Sequence, residues 1–470
     1  MKAQSAGAWR GDWQTTLLVC LLSLVPRLYA AIALSGEPVW DGHYYDFGAR
    51  RIALGLGYSD DIVAGGATVW HPWCHYPVGY SGFLGGLYAL FGTSRFVAPV
   101  ANAAIGSITV MLTHRLGLHW LGKKRAVIAS VLCALSLELV LYCPLLMTET
   151  LATCLPLLAL WIALAPRNSS ASSSASGCVI GLATLVQPQS IILAPLFGSV
   201  VAKGKVLSKK RLVCAAIATA SALVVVAPWT MRNCGVLDGC AFVSTNGGWN
   251  LAIGSFPRAT GRFETLRASD GCAVVSGQVQ QDRCWGGMGV GWIRRDIRRW
   301  IGLIPAKLGY CFNHASFPVE YLAQADPLRW TDQVRTAFRG VLTGIHRVLL
   351  TVAAFGFVAP RIRKLRKLWF EVLLSVGILG LAGCAWFSDT PVFWPLAIGI
   401  AVTGLLFRKS APYRGPVGIS IAVVFATFVA IHILFFGEDR YHVRLIPLLC
   451  LLAAAVGRNA SCEQNGQHCY

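Results

Sequence analysis

The side chains able to do chemistry cluster at the ends of long apolar runs. In Glu37-Pro38-Val39-Trp40-Asp41-Gly42-His43-Tyr44-Tyr45-Asp46 a carboxylate follows the first run closely and stands among aromatic residues. A carboxylate held near a bilayer surface can take a proton from a hydroxyl while a lipid-linked partner enters from the side. Asp41 is therefore the candidate base, although an acid preceding a helix could equally serve only as an N-cap. His75 lies in Trp73-Cys74-His75-Tyr76-Pro77-Val78-Gly79-Tyr80, and Gln187 in Leu185-Val186-Gln187-Pro188. Glu149 opens the fourth apolar run, where the helix dipole alone would favour an acid. Arg232 follows the seventh run closely enough to meet a headgroup phosphate, or simply to snorkel. Arg440 and His442 belong to Gly437-Glu438-Asp439-Arg440-Tyr441-His442, where Arg440 could pair with either neighbouring acid.

These residues are positioned by a chain of unusual composition. Of 470 residues, 55% are hydrophobic and 13% charged, about half the charge of a soluble domain. That excludes a soluble enzyme and a disordered chain, and implies a polytopic membrane protein. Apolar runs at 15–34, 96–116, 126–142, 151–164, 177–186, 191–201, 212–227, 341–359, 368–386, 392–407, 417–436 and 445–456 predict about 12 spans with both termini inside. A cleavable leader is the alternative reading of the first run, but its length and Arg27 favour a retained helix. Arg27 and Glu138 are ionisable groups within spans, positions that are costly and often functional.

Three parts follow. Residues 1–228 form an N-terminal transmembrane module with a first outer loop at 36–95, in which 45–56 and 79–91 read as amphipathic helices. Residues 229–340 form a large outer loop, with a Trp- and Arg-rich amphipathic stretch at 292–300. Residues 341–470 carry the last spans and a short inner tail. A Ser- and Ala-rich stretch at 169–176 reads as an inner linker.

The net charge of +20 could suggest nucleic acid, but its placement argues otherwise. The inner segments, with Arg115 at the inner end of the second run, hold 21 Lys/Arg and two acids, the outer segments 18 Lys/Arg and 17 acids. That is positive-inside bias, so no nucleic-acid partner is implied, and membrane lipids are the expected surroundings. Cys234, Cys240, Cys272 and Cys284 share the large outer loop, where disulfides are permitted but the pairing is open. No ligand cluster in the sequence calls for a metal.

The motifs in their order, an acid after span one, YPxGY before span two, an acid entering span four and PWxxRN leaving span seven, resemble the GT-C membrane glycosyltransferases. The likeness is to the protein O-mannosyltransferase and aminoarabinose-transferase branch, glycosyltransferase family 39. It implies an all-α, GT-C-like bundle with outer-face amphipathic helices. It also implies transfer of a sugar from a polyprenyl-phosphate donor to a hydroxyl on the outer face, the acceptor being a lipid, a glycan or a protein. Asp41 matches the family's first-loop aspartate, and Glu149 a family glutamate that could orient substrate or a cation. Gly42 departs from the second acid common in the family, His75 from an Arg or Lys, and Gln187 from an Arg. Arg232 and Arg440 are then the candidates for the donor phosphate, with His75, Gln187 and His442 as further polar contacts. Tyr44, Tyr45 and Tyr80, with Trp40 and Trp70, could pack on sugar or prenyl chain. No cofactor is required, though a divalent cation could assist by screening phosphate. A transporter or flippase of lipid-linked sugars is the rival reading, but transporter sites usually lie at the midplane. A bacterial inner membrane is the expected location.

Overall fold

The computed structural model describes residues 12–165, 169–202, 208–272, 277–358, 365–387, 393–406 and 416–456. The expected basic segments at 203–207, 361–364 and 407–415 and the inner tail at 457–470 lie outside the described residues, as do Lys2 and Arg10.

The architecture is helical. In chain order come α1 (Trp13–Ala33), α2 (Asp41–Ala53), a hairpin of β1 (Ser59–Ala64) and β2 (Ala67–Pro72), α3 (Val78–Phe91), α4 (Val97–Trp120), α5 (Lys123–Ala134) and α6 (Leu137–Leu141). Then follow α7 (Glu149–Ala163), α8 (Ser169–Val186), a 3-10 turn (Pro188–Ile192), α9 (Leu193–Val201) and α10 (Lys209–Val236). Residues 229–340 supply α11 (Gly247–Ile253), α12 (Gln278–Arg295), α13 (Ile297–Gly302), α14 (Ile304–Phe312) and α15 (Phe317–Ala325). The chain closes with α16 (Asp332–Val358), α17 (Leu365–Phe387), α18 (Trp394–Leu406), α19 (Pro416–Leu434), a second 3-10 turn (Asp439–Leu445) and α20 (Ile446–Ala454).

Six described helices are long and apolar enough to cross a membrane: α1, α4, α8, α10, most of α16, and α19. Shorter apolar helices, α3 and α7 among them, accompany these, and the count of twelve spans is not established by them. Burial separates two kinds of apolar helix. Every residue of α20 is buried, as a helix apolar on all sides requires. On α1, Leu17, Leu18, Leu21, Leu22, Val25 and Tyr29 are exposed on a face that only lipid suits.

Several local expectations are revised. The run at 126–142 breaks at Leu135 and Ser136 into α5 and α6. The buried Arg27 guanidinium donates to the carbonyls of Cys133 (3.1 Å) and Ala134 (3.0 Å) at the break, where Cys133 also accepts from the Ser136 amide at 3.4 Å. The presumed Ser/Ala linker is the first half of α8. Ser173 bonds back to the Ser169 carbonyl at 2.7 Å and Ser176 reaches the Ala159 carbonyl at 2.9 Å. At Gly177 a Cβ would collide with the Ala218 carbonyl, so this glycine sets how closely α8 approaches α10. The amphipathic stretch at 292–300 is divided at Asp296, whose carboxylate accepts from the Arg299 amide at 2.9 Å and so caps α13. The hairpin at 59–72 has no counterpart in the sequence reading. Gly65 and Gly66, both with positive φ, form its turn.

Candidate active site

Asp41 is the first residue of α2, and its carboxylate does not cap that helix. One oxygen, Oδ1, accepts from the Tyr76 hydroxyl at 2.9 Å. The other, Oδ2, accepts from Arg440 Nη1 at 2.6 Å, across 399 residues of sequence. The backbone before it is strained: Trp40 has φ +49°, one of two described non-glycine residues with positive φ. Its indole packs on Phe317 at 5.5 Å and edge-on to Tyr321 at 5.8 Å, which holds that conformation.

Gly42 has a steric reason. A Cβ there would collide with the Tyr321 hydroxyl and lie 3.0 Å from the Leu146 carbonyl. A second acid beside Asp41 is therefore excluded by packing, and Arg440 holds the position of a counter-charge. Among the described residues, the one group of three or more His, Cys, Asp or Glu placed to hold a metal does not include Asp41.

Arg440 is set by the Asp439–Leu445 turn. Its Nε lies 2.9 Å from Glu438 Oε2, its Nη2 donates to the Tyr441 hydroxyl at 3.2 Å, and its guanidinium packs on the Phe317 and Tyr441 rings. Burial pushes the Glu438 carboxyl up to about 7, against the opposing pull of Arg440. Arg444, on the same turn, donates to the Gln187 side-chain oxygen, and Gln187 donates in turn to Thr148 at 3.1 Å. Thr148 adjoins the buried Glu149 carboxylate at 3.4 Å.

These groups face a cavity of about 930 Å³. Asp41, Tyr45, His75, Glu149, Gln187 and Arg440 all line it, so six of the residues singled out from sequence converge. One side is apolar, built from Ala426, Ala430, Ile431, Leu434 and Phe435. At Gln189, Thr427 and Ile431 the cavity adjoins a smaller apolar pocket that includes Arg444. At His75 and Trp249 it adjoins an open vestibule of about 330 Å³ lined also by His71 and Gln278. Burial lowers the affinity of the His75 imidazole for its proton, only partly offset by Asp41, so His75 contributes hydrogen bonding rather than charge.

Four candidates lie elsewhere. Helix α10 continues through Pro228, and Arg232 turns toward the loop at 58–73. Its guanidinium donates to the carbonyls of Tyr58 (2.6 Å) and Trp73 (3.2 Å) and lies over Trp229. Tyr80 is buried, its hydroxyl bonded to Asn102. Tyr44 stacks on Tyr76 at 5.3 Å and is exposed, outside the cavity lining. His442 is sealed away beside Glu138, its Nε2 3.0 Å from Oε1. Of the other rings, Trp70 bonds the Leu56 carbonyl within the hairpin region. The sequence reading missed Arg444, Tyr441, and the hydrogen bond from Tyr76. Arg444 sits four residues after Arg440, a spacing that could have drawn notice; the Tyr76 contact carried no local signal.

Residues 75–231 match the family model for dolichyl-phosphate-mannose-protein mannosyltransferase. The match bears out the resemblance to the O-mannosyltransferase branch of the GT-C glycosyltransferases. It includes His75, Glu149 and Gln187, and excludes Asp41 and Arg440. No curated protein matches the chain. Among solved structures, the oligosaccharyltransferase of Archaeoglobus fulgidus with a tethered acceptor peptide is 14% identical, at TM-score 0.45. That match covers 95% of this chain and 49% of the other, so this chain spans about half its length. ArnT from Cupriavidus metallidurans bound to undecaprenyl phosphate is 15% identical at TM-score 0.39, covering 96% of this chain and 80% of that one.

Proposed function

We propose that this chain is a membrane glycosyltransferase that moves a sugar from a polyprenyl-phosphate donor to an acceptor hydroxyl on the extracytoplasmic face. The observation that carries the reading is the Asp41–Arg440 pair at a cavity whose one wall is apolar and whose other wall is polar. The lipid chain lies against α19, the sugar phosphate against Arg440 and Arg444, and the acceptor enters by the vestibule near His75 and Trp249. The family match at 75–231 supports a lipid-phosphate sugar as donor. Disulfides Cys234–Cys240 and Cys272–Cys284 support an oxidising compartment for the segment at 229–340. The three-part division at 228 and 340 goes with this reading: two transmembrane parts hold the donor, and the outer segment covers the site.

Transfer is direct displacement with inversion. The acceptor oxygen forms a bond to the anomeric carbon as the carbon–oxygen bond to phosphate breaks. The bonding pair leaves with the polyprenyl phosphate, and the acceptor proton passes to Asp41. Arg440 occupies Asp41 Oδ2 before the donor arrives, so donor binding has a second effect. The donor phosphate competes for the Arg440 guanidinium and releases Asp41 Oδ2 to accept the proton. Arg440 thereby serves first as guard of the base and then as stabiliser of the leaving group.

The test incubates purified full-length protein with a panel of polyprenyl-phosphate sugars and follows released carrier by mass spectrometry. Sugar release by the wild type, and its loss in D41N with carrier still bound, are the expected results. Unchanged release in D41N removes Asp41 as base. Carrier binding with no sugar release by the wild type, on any donor of the panel, favours the flippase reading.

A further inference from the structure

Behind the site, on the side of the Asp439–Leu445 turn away from the cavity, lies a second group of polar side chains for which the transfer chemistry has no use. Glu138 of α6, His346 of α16 and His442 of the turn are all buried. One carboxylate oxygen and one ring nitrogen from each histidine lie within 4.8 Å of one another. Among the described residues this is the one group of three or more His, Cys, Asp or Glu so arranged.

Both imidazoles are held by their other nitrogen. His442 Nδ1 lies 2.8 Å from the Cys311 carbonyl and His346 Nε2 lies 3.0 Å from the Phe312 carbonyl. These consecutive carbonyls belong to the last turn of α14, where helical donors run out. A carbonyl accepts only from N–H, so each contact places a proton on the nitrogen that makes it. In the neutral rings His442 Nε2 and His346 Nδ1 are then the nitrogens with lone pairs. Histidine ligands of metals are oriented in this way, by donation of the second ring nitrogen to a backbone carbonyl or carboxylate.

An ion pair between Glu138 and His442 would explain two of the three residues. It leaves His346 unexplained, because its Nδ1 is buried with no hydrogen-bond partner, a state that native interiors rarely tolerate. The two rings also lie with centroids 3.9 Å apart, so a proton on His346 would face one on His442.

We propose that Glu138, His346 and His442 form a binding site for a divalent transition metal of the zinc type. Two imidazoles and a carboxylate match the preference of such ions, and three protein ligands leave one coordination position for water. Ligation at about 2.0–2.2 Å would draw the three atoms closer together through small side-chain rotations. The metal would tie α6 and α16 to the turn that presents Arg440 and Arg444, bracing the cationic side of the cavity from behind. The proposal does not rest on the transferase reading.

Full-length protein in detergent, stripped with chelator, equilibrated with zinc and desalted, is assayed for metal by mass spectrometry. About one zinc per chain is expected in the wild type. H346A is expected to hold at least tenfold less, whereas H71A, which alters a histidine paired with Asp60 in the hairpin, keeps it. Zinc is also expected to raise the melting temperature of wild type and not of H346A. A folded wild type that takes up no zinc, or an H346A that holds as much as wild type, overturns the proposal. Should H346A fail to fold, cobalt(II) titration of the stripped wild type decides: visible absorption from low-symmetry coordination supports the site, and its absence overturns it.

Discussion

Two acid–base pairs meet on one short turn and have opposite characters. Arg440 pairs with Asp41, both side chains about one-fifth exposed, and both line the cavity. Two residues on, His442 pairs with Glu138, and both are buried. Water or a substrate can reach the first pair and exchange partners with it, while the second is sealed by α14 and α16. On the proposed reading the first contact is a replaceable lock and the second a fixed brace. Access to solvent separates them, and so does the imidazole of the second, which unlike a guanidinium can offer a lone pair.

The largest effect is expected at the open pair. D41N should reduce sugar transfer by about 10²–10⁴-fold, the usual range for loss of a general base, with little change in melting temperature. Steady-state rates and a thermal melt together check this. The sealed pair should respond in reverse. E138Q replaces the buried carboxylate beside His442 with a neutral amide and should cost about 1–3 kcal/mol of stability, read as a lower melting temperature. If E138Q melted like wild type, the brace would be no brace. Third, Gly42→Ala should cost about 1–3 kcal/mol by overpacking against Tyr321, and should lower the rate through displacement of Asp41; melting and kinetics measured together check both effects.

The smallest effect concerns pH. Glu438 competes with Asp41 and with donor phosphate for Arg440. Its carboxyl, pushed up to about 7, is charged at pH 8 and mostly neutral at pH 6. Donor KM should therefore fall by less than tenfold from pH 8 to pH 6, and E438Q should flatten that dependence. The linked stability term has the same sign. The folded state holds this proton more tightly than the unfolded chain, so Glu438 favours the fold at low pH and loses that contribution as pH rises through about 7.

Much of this was legible because the chain is so poor in charge. In apolar sequence, Asp41, Glu149 and Arg440 stand out, and motif order brought them together on paper as the cavity does in space. The partnership of Asp41 with Arg440 was not legible, since no local rule joins residues 399 apart. Arg232 was misplaced because Pro228 was read as a helix end. In long apolar helices proline is tolerated when neighbours satisfy the freed carbonyl, and α10 runs on to Val236. Ser169–Ser176 read as linker because serine prefers caps and turns, yet here its hydroxyls turn back onto carbonyls within the bundle. Glu138, noted as an ionisable group inside a span, had no nameable partner until the fold brought two histidines from later in the chain.

The Arg27 clasp on the interrupted α5–α6 segment has a consequence for biogenesis. At its break that segment draws side-chain donors for two carbonyl oxygens from a helix made more than 100 residues earlier, so it is poorly suited to enter hydrocarbon alone. Insertion of the two must be coupled, with α1 retained beside the translocation site until the break arrives. A chain lacking its first helix would leave the bilayer with an open polar notch and no guanidinium to close it.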